Sequence, residues 1–196
     1  VDNKFKVRGS DEVIEVPNGI AHFLEHKLFD NEDGTDTFSR YAETGANANA
    51  FTSFDKTAYI FSCTENFEES LEILLDFVTK PYFTEKSVQK EQGIIGQEIK
   101  MGEDNPGRVL FFNLLEAMYE SHPVKINIAG TVDSIAKIDA DLLYKCYNTF
   151  YNLHNMVLCV CGDVDTDSVL KVCDKVLKKA EDCKIERVFE KEPNGV

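Results

Sequence analysis

The residues with the clearest chemical potential lie close together in Gly19-Ile20-Ala21-His22-Phe23-Leu24-Glu25-His26. On a helix, His22 and His26 lie on one face, about one turn apart. Two imidazoles at that spacing can bind one zinc ion. Glu25 projects beside the same face, where a general base for a metal-activated water has to lie. The spacing predicts part of a hydrolytic zinc site, unless two ordinary histidines merely fall near a glutamate, and a third ligand must come from elsewhere.

Two further acids, Glu91 and Glu98, lie on a segment with helical periodicity. Their spacing places them on one face, two turns apart. Gly93 and Gly96 lie between them, and a glycine inside a helix costs about 1 kcal/mol. We therefore expect another group to approach the helix closely there. Acids on helices are most often solvated, so this spacing alone leaves open whether Glu91 and Glu98 belong to a site.

Hydrophobic periodicity and turn residues place these groups on a succession of helices and strands. The helix with the two histidines starts after Pro17 and Asn18, a plausible start signal. Helices are predicted at 18–29, 37–43, 66–79, 85–101, 109–119, 141–150 and 165–179. Strands are predicted at 46–53 and 57–63, around a turn, and a buried strand at 156–163. Interspersed helices and strands predict an α+β fold, an antiparallel-rich sheet with helices packed on one face.

The composition is that of a globular protein, with 43% hydrophobic and 29% charged residues among 196. That length suits one large domain with a core of its own. We expect a single catalytic, zinc-binding domain over 1–196, whose segment 185–196 is a linker. Because the sequence starts at Val1 rather than Met, we also expect a fragment of a longer protein. No apolar run approaches the roughly 20 residues of a membrane span.

The charge and the cysteines restrict the partners and the compartment. A net charge of −14, from 35 acidic and 21 basic residues, disfavours nucleic acids and anionic membrane surfaces as partners. It suits basic peptides, or it serves solubility alone. The cysteines form no Cys-x-x-Cys motif, and Cys159 and Cys161 in the predicted strand are typical of small buried hydrophobes. Without a secretory signal, a reducing cytoplasm is expected. The six are Cys63, Cys146, Cys159, Cys161, Cys173 and Cys183.

Taken in order, these segments resemble the inverzincin metallopeptidases, the family of pitrilysin, insulysin and the mitochondrial processing peptidase. His22-Phe23-Leu24-Glu25-His26 resembles the zinc motif of that family. Glu98 resembles its third ligand, and Glu91 its second, supporting acid. The segment 49–53 resembles the strand that pairs with the substrate backbone, and 155–163 resembles a late strand and turn. The chain looks most similar to the first domain of bacterial processing-peptidase-like members.

The resemblance implies a zinc-dependent endopeptidase with one zinc ion, acting on extended peptides. It also implies a fold of the processing-peptidase-like metallohydrolase type, and a second homologous domain or subunit. In this family the ligand histidine is oriented by the supporting acid. The implied residues are the zinc ligands His22, His26 and Glu98, the catalytic residues Glu25 and Glu91, and the substrate-binding residues Asn49, Ala50 and Phe51.

Two alternatives remain open. The first is an inactive partner subunit or peptide-binding scaffold of a processing-peptidase-like assembly, although the retention of Glu25 favours an enzyme. The second is a lyase of the S-ribosylhomocysteine type, which shares the His-x-x-Glu-His motif and uses a cysteine as third ligand. Cys63 or Cys146 would then have to reach the metal, and Glu98 would be dispensable for it.

Overall fold

Helices and short antiparallel strands alternate along the chain in an α+β architecture, as predicted. The computed structural model describes residues 3–7, 10–182, 184–188 and 190–193. Its strands are β1 (Lys4–Val7), β2 (Ile14–Glu15), β3 (Asn47–Thr52), β4 (Thr57–Ser62) and β5 (Ile185–Arg187). Its α-helices are α1 (Ile20–Lys27), α2 (Thr37–Thr44), α3 (Phe67–Thr79), α4 (Glu85–Glu103), α5 (Pro106–Met118), α6 (Val132–Ile135), α7 (Ala140–Phe150) and α8 (Thr166–Val176).

Most of the α-helices start where a side chain caps their first amides, whereas α1 and α3 have no such cap. The Thr84 hydroxyl accepts a hydrogen bond from Ser87 N at 3.2 Å and begins α4 with a capping box. The carboxylate of Asp36 accepts from Phe38 N in the same way at the start of α2. Such caps contribute about 1 kcal/mol each. No helix in the described ranges combines the length and the apolarity that crossing a membrane requires.

A β-hairpin of β3 and β4 lies beside the histidine helix. The two strands pair in register from Asn47 opposite Ser62 to Thr52 opposite Thr57. Residues of β3 alternate between exposed and half-buried, as expected for a strand with one face on the core. The hairpin contacts α1, α2 and α3. This packing fixes β3 alongside the helix that carries the two histidines.

A second antiparallel sheet has the order β2-β1-β5. Phe5, in its central strand β1, is completely buried. The predicted linker at 185–196 is wrong for its first three residues, because Ile185–Arg187 pairs with β1 and is ordered by that ladder. Residues 189 and 194–196 of the predicted linker lie outside the described residues. The assignment of the whole chain to one catalytic domain stays a prediction.

The apolar faces of α1 and α4 meet in the main core. Phe23 and Leu24 of α1 and Ile95 and Ile99 of α4 are all buried in one cluster. Each such side chain contributes about 1.5–3 kcal/mol when it leaves water. Because the two helices are held together by these residues, their polar faces are brought side by side at the edge of the core.

The backbone at the start of α1 packs closely against the loop around Gly130. Gly19 lies against Ala129, and Gly130 lies against Asn18. Gly19 has φ +95°, and a Cβ there would lie 2.5 Å from the Ala129 carbonyl oxygen. Gly130 has φ +73°, and a Cβ there would collide with the Asn18 carbonyl oxygen. The Ser134 hydroxyl donates to that same oxygen at 2.7 Å. The left-handed backbone and the missing side chains together allow this close approach.

The predicted buried strand at 156–163 is wrong. Within the described part of the chain no strand pairs with this segment, and Val157 is 94% exposed. Cys159 and Cys161, predicted to be buried, are exposed as well. The backbone is extended at Met156, so the local preference of the residues is met. A strand also needs a neighbour for its hydrogen bonds, and none of the described residues provides one.

Candidate metal centre and active site

The described residues contain one cluster of possible metal ligands, formed by His22 and His26 of α1 and Glu98 of α4. Nε2 of each histidine lies 3.6 Å from the Glu98 Oε2 atom. The two imidazole rings meet edge to face, with their centroids 4.6 Å apart. The contact between α1 and α4 thus brings Glu98 to the two histidines, more than 70 residues away in sequence.

These three side chains fit a zinc ion. Two imidazole nitrogens and one carboxylate oxygen form a donor set typical of catalytic zinc, which keeps a fourth position open. Ligand atoms about 2.0–2.1 Å from a tetrahedral zinc lie about 3.4 Å from each other, close to the 3.6 Å between each histidine nitrogen and Glu98. His22, His26 and Glu98 could therefore bind the metal with small adjustments.

Glu91 holds the ring of His26 from behind. Its Oε1 lies 2.9 Å from His26 Nδ1, and it is itself buried. This hydrogen bond is the main reason why the pKa of His26 is raised, against the effect of burial. With Nδ1 donating to Glu91, the Nε2 lone pair faces the cluster. Glu91 therefore lies where a residue that orients a histidine ligand has to be.

His22 has a different environment. Burial lowers its pKa, and the charges of His26 and Arg108 act in the same direction, whereas Glu98 opposes them. No described residue gives its buried Nδ1 atom a hydrogen-bond partner. His22 is therefore disposed to be neutral, the form in which an imidazole binds a metal.

Glu25 lies in the same cleft as the cluster, almost completely buried. Burial raises its pKa, although the Thr52 hydroxyl, which donates to Oε2, acts in the opposite direction. Thr52 Oγ1 lies 3.3 Å from Thr57 Oγ1 across the hairpin. The Thr57 hydroxyl lowers the pKa of Tyr151, whose hydroxyl lies 2.8 Å from that of Tyr59. A chain of hydroxyl groups therefore leads from Glu25 into the core.

The three residues predicted to bind substrate all line this cleft. They lie on β3, which pairs with β4 alone among the described strands. The other edge of β3 therefore presents backbone groups that an extended peptide can pair with. The Asn49 carboxamide oxygen accepts from Ala50 N at 2.8 Å, and Phe51 is 44% exposed.

Two cationic residues of the cleft, Arg108 and Lys90, were not among the predicted site residues. A single basic residue has no spacing signal that separates it from surface charge.

The close approach expected at Gly93 and Gly96 is also wrong, because no described atom lies within 4 Å of a Cβ built at either position. It occurs at Gly102 instead, where such a Cβ would lie 3.1 Å from Arg108 Nε.

The cysteine-ligated alternative is not supported by the geometry. Cys146 is buried on α7, where burial raises the pKa of its thiol to about 12, and Cys63 follows β4. Neither joins the cluster of possible ligands in the described part of the chain. A metal thiolate is favoured at a depressed pKa, so Cys146 lies in an unfavourable environment for that role as well.

Two family models match the chain. One, described as Insulinase (Peptidase family M16), matches residues 9–132. The other, described as Peptidase M16 inactive domain, matches residues 137–194. All the predicted site residues fall within the first of these matches. The second begins just before α7 and contains none of them.

Curated relatives and solved structures agree with this match. The uncharacterized zinc protease YmfH of Bacillus subtilis is 57% identical over 170 residues, which cover 87% of this chain and 40% of that protein. The mitochondrial-processing peptidase subunit beta of Caenorhabditis elegans is 32% identical over 85% of this chain and 37% of its own. The crystal structure of a putative M16-like peptidase from Alicyclobacillus acidocaldarius is 45% identical, with a TM-score of 0.92 over 98% of this chain and 46% of that one.

The chain spans about 40% of the length of the curated relatives it matches. The insulinase model covers well over half of the chain, and the fold agrees with that of the M16-like peptidase. From the family match, the similar sequences and the fold, the chain belongs to peptidase family M16, the insulinase family.

Proposed function

We propose that this protein is a zinc-dependent endopeptidase that hydrolyses bonds within extended peptides. The observation that supports this most directly is the position of Glu25, whose carboxylate lines the same cleft as the possible ligands His22, His26 and Glu98. A hydrolytic zinc site needs a base beside three protein ligands. Relatives of this chain are named zinc proteases.

Each side chain of the cluster would have a distinct role in peptide hydrolysis. Zinc, when bound by His22, His26 and Glu98, supplies Lewis-acid chemistry that acidifies water and polarises a carbonyl. Glu25 accepts the proton of the attacking water and passes it to the leaving amine. Its raised pKa makes it a better base than an exposed glutamate. Glu91 keeps the His26 ring in the orientation and tautomer that a ligand needs.

The substrate would lie along the free edge of β3. An extended peptide there forms main-chain hydrogen bonds with alternate residues of the segment that contains Asn49, Ala50 and Phe51, and its own alternate side chains point into the cleft. The small side chain of Ala50 leaves room for the peptide backbone. Basic peptides would be drawn towards the site by the net charge of −14, because opposite charge speeds encounter. The cytoplasmic location expected from the sequence stays a prediction.

A second homologous domain or subunit would complete the substrate chamber. Two observations support this part of the proposal. The relatives are more than twice as long as the matched region, and one of them is named as a subunit of a processing peptidase. The hydrolytic groups proposed above all come from this chain, so the second unit would contribute to substrate binding.

Peptide hydrolysis by the intact, zinc-loaded protein tests the proposal. A mixture of unstructured, mostly basic peptides is incubated with the wild type and with Glu25→Gln, and products are identified by mass spectrometry. We expect internal cleavage by the wild type and none by the variant. Equal cleavage by both would mean a contaminating protease or a different base. No cleavage by either would favour a partner subunit or a peptide-binding scaffold.

A further inference from the structure

The cleft contains a half-buried cation, Arg108, without a carboxylate partner among the described residues. It lies on α5 and lines the cleft together with Glu98 and Phe112. No ion pair or side-chain hydrogen bond engages its guanidinium in the described part of the chain; its contacts there are with Phe112 and the backbone at Gly102. An unpaired guanidinium that has lost part of its water binds an anion favourably.

None of the acids of the cleft forms an ion pair with Arg108 in the described part of the chain. Each has a partner of its own in the structure. Glu25 accepts from Thr52, Glu91 from His26, Asp30 from Lys27 and Asp36 from the amide of Phe38, while Glu98 faces the two histidines.

The position of the guanidinium is defined by its surroundings. Its central carbon lies 6.0 Å from the centroid of the Phe112 ring, within the range of a cation–π contact. It also lies close to Gly102, where an added Cβ would lie 3.1 Å from Nε and 3.2 Å from Cζ. Any side chain at position 102 would push the guanidinium away. Arg108 is therefore held in place before a ligand arrives, which lowers the entropic cost of binding.

The chemistry of the site selects its ligand. A guanidinium offers parallel N–H donors that match the two oxygens of a carboxylate. A peptide on the edge of β3 directs every second side chain towards the cleft, whose lining includes both Asn49–Thr52 and Arg108. We propose that Arg108 forms a subsite that binds an Asp or Glu side chain of the substrate peptide. This rests on the proposed peptidase function, because it uses the same bound peptide.

Peptide binding to the intact, zinc-loaded Glu25→Gln variant tests the subsite without requiring cleavage. The probes are fluorescent, C-terminally amidated, unstructured peptides in which one Glu is moved through successive positions, each paired with its Gln analogue. We expect one position at which Glu binds about tenfold more tightly than Gln, the range of a charged hydrogen-bonded pair. Arg108→Met should remove that preference and leave the Gln analogue unchanged. Arg108→Lys should retain only part of it.

Arg108→Met is a safe substitution, because α5 contributes no buried side chain to the fold. The matched control is Lys90→Met, which removes an exposed cation from the same cleft. Equal losses in the two variants would mean a general charge effect and would overturn the proposal. So would the absence of any position-specific Glu preference among the amidated peptides. Failure of hydrolysis by the wild type is a separate result, which concerns the proposed function alone.

Discussion

Thr52 offers a sharp test of how the proposed base is positioned. The hydroxyl of Thr52 donates to the Glu25 carboxylate, and Thr52→Val replaces it by a methyl group of similar size. A hydrogen bond to a charged group contributes about 1.5–3 kcal/mol. Because Glu25 is only 7% exposed, water does not readily take the place of the hydroxyl. Without that free energy the carboxylate leaves the orientation in which it accepts the proton for most of the time, so we expect kcat to fall about 10- to 150-fold.

The pH dependence of kcat/KM provides a second test of the contact between Thr52 and Glu25. The Thr52 hydroxyl lowers the pKa of Glu25, and burial raises it. Without the hydroxyl the pKa of Glu25 rises further, so a higher pH is needed to ionise the base. The acid limb of the kcat/KM profile of Thr52→Val should therefore move to higher pH. A change in packing alone would lower the rate without that displacement.

The assay is hydrolysis of a quenched fluorescent peptide by the intact, zinc-loaded protein over a range of pH. Thr52→Ser is the control, because it keeps the hydroxyl and loses only the methyl group. Equal zinc contents ensure that the metal site is intact in both variants. We expect a low kcat, a nearly unchanged KM and a displaced acid limb for Thr52→Val. If Val and Ser give the same kcat and the same pH profile, Thr52 does not position Glu25.

Three further predictions concern the metal centre. Glu98→Gln should lose zinc, as measured by elemental analysis. Glu103→Gln, at the exposed end of the same helix, is the control and should keep it. Zinc retained by both variants would favour a different third ligand. Glu91→Gln should weaken zinc binding about 10- to 100-fold at neutral pH, measured by competition with a chromophoric chelator. An unchanged affinity for zinc in this variant would contradict the assigned contact between Glu91 and His26. A carboxyl whose pKa is raised on folding destabilises the folded state above its ordinary pKa, so zinc-free Glu25→Gln should melt at a higher temperature than wild type at neutral pH, with a difference that shrinks in acid.

The site was predictable from sequence where local spacing determines geometry. His22 and His26 share a face because they are four residues apart on α1, and the two acids share a face of α4 for a similar reason. Arg108 could not be found in this way. Its importance depends on its packing over Gly102 and on the acids around it being occupied. Both are properties of contacts between residues distant in sequence.

The helices and strands also divide into those that local sequence predicts and those that depend on distant residues. The hairpin and the long helices follow from alternation, periodicity and caps, which act over a few residues. The segment 156–163 has the apolar residues of a buried strand, yet burial and pairing depend on a neighbour that no local pattern specifies. The pairing of β5 with β1 was missed for the corresponding reason. Ile185–Arg187 is short and polar on one side, and its partner lies at the other end of the chain.

The close packing of Gly19 against the loop around Gly130 matters for any design that transfers α1 to another protein. The helix α1 carries His22, Glu25 and His26, but its direction is set by backbone that touches backbone, where no side chain fits. A design that grafts the His-x-x-Glu-His segment alone onto another scaffold would lack this anchor. The portable unit is therefore the helix together with the loop around Gly130. In a saturation mutagenesis screen for zinc retention, both glycines should tolerate as little variation as the ligands themselves, although neither carries any chemistry.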